Sequence, residues 1–176
     1  LSFRTEPVVI VGASCSGKTF LGNLILQHRA KRCRSKMIKI TLTADLNGLE
    51  DLYGEFLASD TGCVYKRGPL HEAMETGRPL LLDDASNAPY RVLEALCNDI
   101  SRSVGTVMNP VTGESLSVHP DFRCIVCSCS DFSESQRKRF NVCVINKYTK
   151  DDIFEILCRG SSSSKEEIEQ LLLKMQ

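Results

Sequence analysis

Residues 12–19 read Gly12-Ala13-Ser14-Cys15-Ser16-Gly17-Lys18-Thr19 and fill every position of a G-x-x-x-x-G-K-[ST] string. These residue types point to phosphate chemistry. Gly12 and Gly17 permit a tight turn whose backbone N–H groups converge on an anion. The helix that such a turn opens adds its positive end. Lys18 is spaced to reach terminal phosphates as a point charge, and the Thr19 hydroxyl is spaced to ligate Mg²⁺. A second pair of groups lies in Leu80-Leu81-Leu82-Asp83-Asp84, an apolar run ending in two carboxylates. In phosphate chemistry one such acid supports the magnesium ion and the next polarises an attacking water. Asp83 suits the first role. Asp84 takes the second with a short reach, since a Glu would extend one methylene further.

These groups need a frame. Val8-Val9-Ile10-Val11 leads into the glycine-rich string as a strand, and Lys18–His28 leaves it as a helix with Leu21, Leu24 and Ile25 on one face. Further strands are predicted over Met37–Thr41, Leu80–Leu82, Phe122–Ser128 and Val142–Ile145. Helices are predicted over Leu70–Thr76 and Tyr90–Arg102, with a weaker helix or loop-helix over Leu49–Leu57. Apolar strands without alternation, separated by helices, specify an α/β three-layer sandwich around a mostly parallel five-stranded sheet. Ligands in such folds bind at the carboxyl ends of strands, where both the loop and Asp83-Asp84 fall. Between Ser103 and Pro120, two strand-like runs flank a Pro/Gly turn and read as a β-hairpin insertion. Ser161–Ser164 reads as a linker and Ser164-x-x-Glu167 as a capping box. Ile168, Leu171, Leu172 and Met175 then form an apolar helix face expected to pack on chain outside this sequence.

Composition narrows the partners. The chain has 176 residues and zero formal net charge, so bulk electrostatics favours neither nucleic acid nor a membrane. No apolar run approaches the ~18 residues of a membrane span. Leu1–Thr5 lacks a basic start followed by an apolar block, and no initiator Met is present, so a piece of a longer intracellular chain is expected. The nine cysteines are scattered, as free thiols are in a reducing interior. Cys124, Cys127 and Cys129 have half a zinc spacing but share one predicted strand. Their side chains therefore alternate faces, and no structural zinc is expected. Arg29, Lys31, Arg32, Arg34 and Lys36 follow the first helix and read as cations facing solvent at its negative end, with an RNA or acidic-partner contact as the alternative. Cys15 lies inside the glycine-rich loop and reads as a tolerated residue at an unconstrained position, with an alkylation-prone thiol as the alternative. His28, His71 and His119 make no ligand pattern.

Taken in order, further blocks accompany the loop and the acid pair. They are Asp51-Leu52-Tyr53-Gly54, Gly68-Pro69-Leu70 with Ala73-Met74 and Gly77, Asn87-Ala88-Pro89, His119-Pro120-x-Phe122-Arg123 and Arg139-Phe140. Together they resemble the AAA+ ATPases of the dynein-related group, the midasin branch first and the MoxR-type chaperones next. The resemblance implies a P-loop NTPase core over residues 1–148 and the start of a helical lid over 149–176. It implies ATP and Mg²⁺ as ligands, with residues 12–19 on the nucleotide and Thr19 and Asp83 on the metal. It implies a ring with neighbouring AAA+ modules, in one chain or an oligomer, that remodels a protein or ribonucleoprotein substrate. For the midasin branch that means ribosome precursor maturation in the nucleus or nucleolus; otherwise a cytoplasmic chaperone ATPase. Arg139 falls at the arginine-finger position, acting in trans on a neighbour's nucleotide. Two residues depart from the family pattern. Asp84 stands where a Glu is usual, and Cys129 stands at the position of a polar sensor, with Ser128 or Ser130 taking its place if the register slips by one. Both departures allow a hydrolysis-deficient module that holds nucleotide structurally. A small-molecule kinase is the reading from another class; it needs a substrate pocket and lid arginines of its own.

Overall fold

The computed structural model describes residues 6–46, 48–60, 62–101 and 105–160. The chain divides into two compact units, Leu1–Ile145 and Asn146–Gln176.

The first unit is built on five parallel strands in the order β2-β5-β8-β1-β9, namely Ile38–Thr41, Leu80–Asp83, Cys124–Ser128, Val8–Gly12 and Asn141–Ile145. Alternate residues divide between the two faces, as the pleat requires. Ile10, Leu81, Ile125 and Cys127 pack against Leu26 of helix α1 (Lys18–Arg32). Val9, Val11, Leu80, Leu82, Cys124 and Val126 face the other way. There they meet Leu70, Ala73 and Met74 of α3 (Pro69–Thr76) and Val92, Leu96 and Ile100 of α4 (Tyr90–Ser101). Cys124 and Cys127 thus belong to opposite cores, and both are buried. Among the described residues no group of three or more His, Cys, Asp or Glu could hold a metal ion.

Two hairpins leave this frame. β6 (Gly105–Met108) and β7 (Ser115–Val118) pair antiparallel and lay Val107, Leu116 and Val118 into the α3/α4 core, as the sequence pattern anticipates. The other hairpin corrects the sequence reading of Leu49–Leu57 as helical. Only Glu50–Tyr53 is helix (α2); Gly54–Ser59 (β3) then pairs antiparallel with Gly62–Arg67 (β4). Gly54 is the reason. Its φ of 132° lies where side chains are strained, and a Cβ there would stand 2.2 Å from the Lys66 carbonyl oxygen. The helix stops at that residue, and Tyr65 Oη ties the hairpin back by donating to the Tyr53 carbonyl at 2.7 Å.

Short α5 (Glu134–Arg137) precedes β9 and opens on a capping box between Ser133 and Gln136. In the second unit, Thr149 starts α6 (Lys150–Gly160): its hydroxyl accepts the Asp152 N–H at 3.2 Å, while its own N–H donates to Asp152 Oδ2 at 2.8 Å. Ile153, Ile156 and Leu157 share one side of this helix and are exposed. The linker and terminal helix read from the sequence lie outside the described residues. No helix among the described residues is long and apolar enough to cross a membrane.

Candidate nucleotide site

Strand β1 ends at Gly12 and α1 begins at Lys18, so residues 13–17 form the turn between them. Two residues of that turn are left-handed, Cys15 at φ 62° and Gly17 at φ 85°. The first bond of α1 runs from the Leu21 N–H to the Gly17 carbonyl at 2.9 Å. The amides of Lys18, Thr19 and Phe20 therefore belong to the helix's open first turn and carry its positive end. Gly12 is required by close approach: a Cβ there would meet the Ile145 carbonyl oxygen at 2.7 Å and Ser16 Oγ at 2.8 Å.

The turn opens on a cavity of about 390 Å³ lined by Ser14, Cys15, Gly17, Lys18, Thr19, Phe20, Asp84 and Cys129. Lys18 is only 6% exposed, and its ammonium donates to the Ala13 carbonyl at 2.6 Å. Among the described residues no carboxylate stands within salt-bridge distance of it. A buried cation without a counter-ion is costly unless an anion joins it. Ser16 Oγ is likewise buried and has no partner among the described residues.

Asp83 is tied to the cavity wall through Thr19. Its Oδ1 accepts the Thr19 hydroxyl at 2.8 Å and the Asp84 N–H at 3.2 Å, and its Oδ2 faces the Lys39 ammonium at 2.9 Å. Burial alone would raise this carboxyl. The hydrogen bonds from Lys39 and Thr19, with the Lys39 charge, outweigh it and hold the group below the usual carboxylate range. Asp84 turns the chain at φ 55°, a conformation Asp tolerates, and leads into a 3₁₀ turn over Ala85–Asn87. Cys129 follows the last residue of β8, and its N–H donates to Ser86 Oγ at 3.4 Å. Ser128 is buried and donates its hydroxyl to the Ser130 carbonyl at 2.7 Å. Of the three candidate sensor residues, Cys129 is therefore the one lining the cavity.

The loop residues, Asp83, Asp84 and Cys129 come together; Arg139 does not join them. It precedes β9, whose first residue Asn141 is level with Val8 at the start of β1. The loop leaves β1 four residues later, about 13 Å along the strand. Arg139 is occupied there by α4, donating to Asn98 Oδ1 and facing Glu94 Oε1 at 3.8 Å. Sequence reasoning missed Lys39, Phe20 and Ser86. A lone cation in the apolar run Met37–Thr41 was the available signal for Lys39; the other two carry none.

The donor set fits a nucleoside polyphosphate with a divalent ion: a buried ammonium with no carboxylate beside it among the described residues, open helix amides, a hydroxyl and a carboxylate converge on one cavity. The signature of the AAA domain, dynein-related subfamily, matches residues 7–131. Midasin of Dictyostelium discoideum is 27% identical over 182 aligned positions covering 98% of this chain, and midasin of Giardia intestinalis is 26% identical over 169 positions covering 95%. The chain spans about 3% of the length of each of these relatives. It belongs to the dynein-related subfamily of AAA domains, a nucleotide-binding family, and is a midasin-like AAA+ module.

Proposed function

We propose that this chain is an ATP-binding AAA+ module of a larger ring-forming remodelling ATPase that acts in ribosome precursor maturation in the nucleus. The observation carrying this reading is the buried Lys18 at the loop, with no carboxylate within salt-bridge distance among the described residues. Lys18 binds the terminal phosphates and the α1 amides cradle the inner ones. Thr19 and Asp83 would hold Mg²⁺, which when bound supplies charge neutralisation of the phosphate oxygens. Asp84 and Cys129 face the space where an attacking water is positioned. The place of Arg139, at the opposite end of β1 and β9 from the loop, supports action on a neighbouring module's nucleotide. Helix α6 (Lys150–Gly160) is read as the start of the helical lid that follows the core in this family.

ATP titration of the chain and of Lys18→Ala tests the pocket. Tight binding to the unmodified chain and none to the variant is the expected result; equal binding refutes it. Turnover by the full-length parent with and without Arg139→Ala tests the ring. A second reading is favoured by two observed residues: Asp84 is short and Cys129 is a weak hydrogen-bonding group. It is a module that holds ATP without hydrolysing it, and tight nucleotide without turnover in the assembled ring supports it.

A further inference from the structure

Both oxygens of Asp83 are engaged. Thr19 takes Oδ1 at 2.8 Å, as a loop hydroxyl next to an acid is expected to do. The second oxygen, Oδ2, is held by an ammonium at 2.9 Å that belongs to neither the loop nor its helix. Lys39 rises from β2, the sheet's edge strand, where it pairs in register with Leu81. Side chains on neighbouring strands at paired positions share a face, and positions two apart on one strand do so too. Lys39, Leu81 and Asp83 therefore all point to the α1 side, and the lysine stem runs along that face to the strand end. Its side chain is 40% exposed, whereas that of Asp83 is 6% exposed. The lysine reaches inward from the rim and places its charge on a carboxylate that water barely touches.

Before any ligand arrives the Asp83 charge is already matched by Lys39, while the charged groups lining the cavity itself are Lys18 and Asp84. We propose that Lys39 is a resident cation that competes with the divalent ion for Asp83, so that this module binds nucleoside triphosphate with little help from Mg²⁺. The inference rests on the reading of the cavity as a triphosphate site. Its physical basis is that Mg²⁺ demands near-ideal octahedral geometry and gives up water reluctantly. An acid whose free oxygen already accepts a charge-assisted bond offers that ion a poorer foothold. The ammonium also repels a divalent ion brought to the same carboxylate. Lys39 is a positioning residue in this account: it acts through Asp83 and touches no reacting atom.

The test is the ratio of ATP affinities in excess Mg²⁺ and in EDTA, read by calorimetry on the intact chain. In the unmodified chain the ratio is expected to be small. In Lys39→Met and in Lys39→Gln it rises by about tenfold, the factor that corresponds to ~1.4 kcal/mol. Lys39→Arg keeps the charge and keeps the ratio low. Position 39 lies on an edge strand with a partly exposed side chain, and circular dichroism of each variant checks that the fold is kept. A ratio that stays the same in Lys39→Met and Lys39→Gln while ATP still binds overturns the proposal and leaves the triphosphate site standing. Absence of ATP binding by the folded, unmodified chain in either condition overturns the site itself, and this proposal with it.

Discussion

Gly12→Ala couples the fold to the site in one substitution. The added methyl carbon would stand 2.7 Å from the Ile145 carbonyl oxygen, 2.8 Å from Ser16 Oγ and 3.2 Å from Ile145 Cβ. Ser16 Oγ has no partner among the described residues and can rotate, but the carbonyl cannot. It is backbone in β9, level with Gly12 in the parallel ladder. Ordinary contact requires the strand ends to separate by roughly 0.7 Å, and overpacking of that kind costs about 1–3 kcal/mol. At about 2–4 °C per kcal/mol for a domain of this size, the melting temperature falls by about 2–12 °C. The same displacement opens the root of the loop, so ATP affinity falls as well. Gly22→Ala is the control. Its methyl would meet Leu81 Cδ1 at 2.9 Å, the movable end of a side chain, while Ala improves helix propensity by about 1 kcal/mol. Its net effect is expected near zero. Thermal unfolding by circular dichroism and ATP titration on both variants decide the matter. If Gly12→Ala melts within a degree of the parent and binds ATP equally well, the close-approach argument is wrong.

Three further predictions concern single polar or thiol groups. Ser16→Ala removes a buried hydroxyl that has no partner among the described residues, so the ligand-free chain is expected to unfold at an unchanged or higher denaturant midpoint; a loss above about 1 kcal/mol would reveal a bond to Ser16. His71 is held below its ordinary pKa, first by burial, and its Nδ1 lies 3.1 Å from Asn109 Nδ2, which can only donate. Because the folded pKa is the lower one, its contribution to stability is complete above about pH 6.5 and is lost as pH falls from there through the folded value. His71→Gln should flatten that part of a stability–pH curve, and an unchanged slope would contradict the assignment. Native alkylation followed by mass spectrometry should label exposed Cys15 and Cys129 and spare Cys97 and Cys127, whose thiols burial pushes up to about 12. ATP should protect Cys15 and Cys129 alone, because they line the cavity while exposed Cys33, Cys63 and Cys143 do not. Equal labelling with and without ATP would argue against the site.

Much of this site was legible before any coordinates. Residues 12–19 are contiguous, and a turn made of consecutive residues is specified locally by where Gly stands and where the helix begins. The apolar runs around it fixed strand and helix types for the same reason: each element's own period shows which faces it must bury. The β3–β4 hairpin was misread because Leu49–Leu57 has usable helix spacing. What ended the helix was a single Gly54 pressed against the returning strand, at the Lys66 carbonyl twelve residues further along the sequence.

From the sequence by itself came the phosphate loop, the acid pair, the layered α/β frame and the family resemblance, since all of these are written in short stretches of neighbouring residues. Only the tertiary structure decided which groups meet. It buried Lys18 with no carboxylate in reach among the described residues, gave Asp83 to Thr19 and Lys39, chose Cys129 over Ser128 and Ser130 at the cavity wall, and put Arg139 at the far end of the sheet. Strand order and register settle such pairings. Both depend on contacts between residues far apart in the chain, where sequence spacing carries no distance.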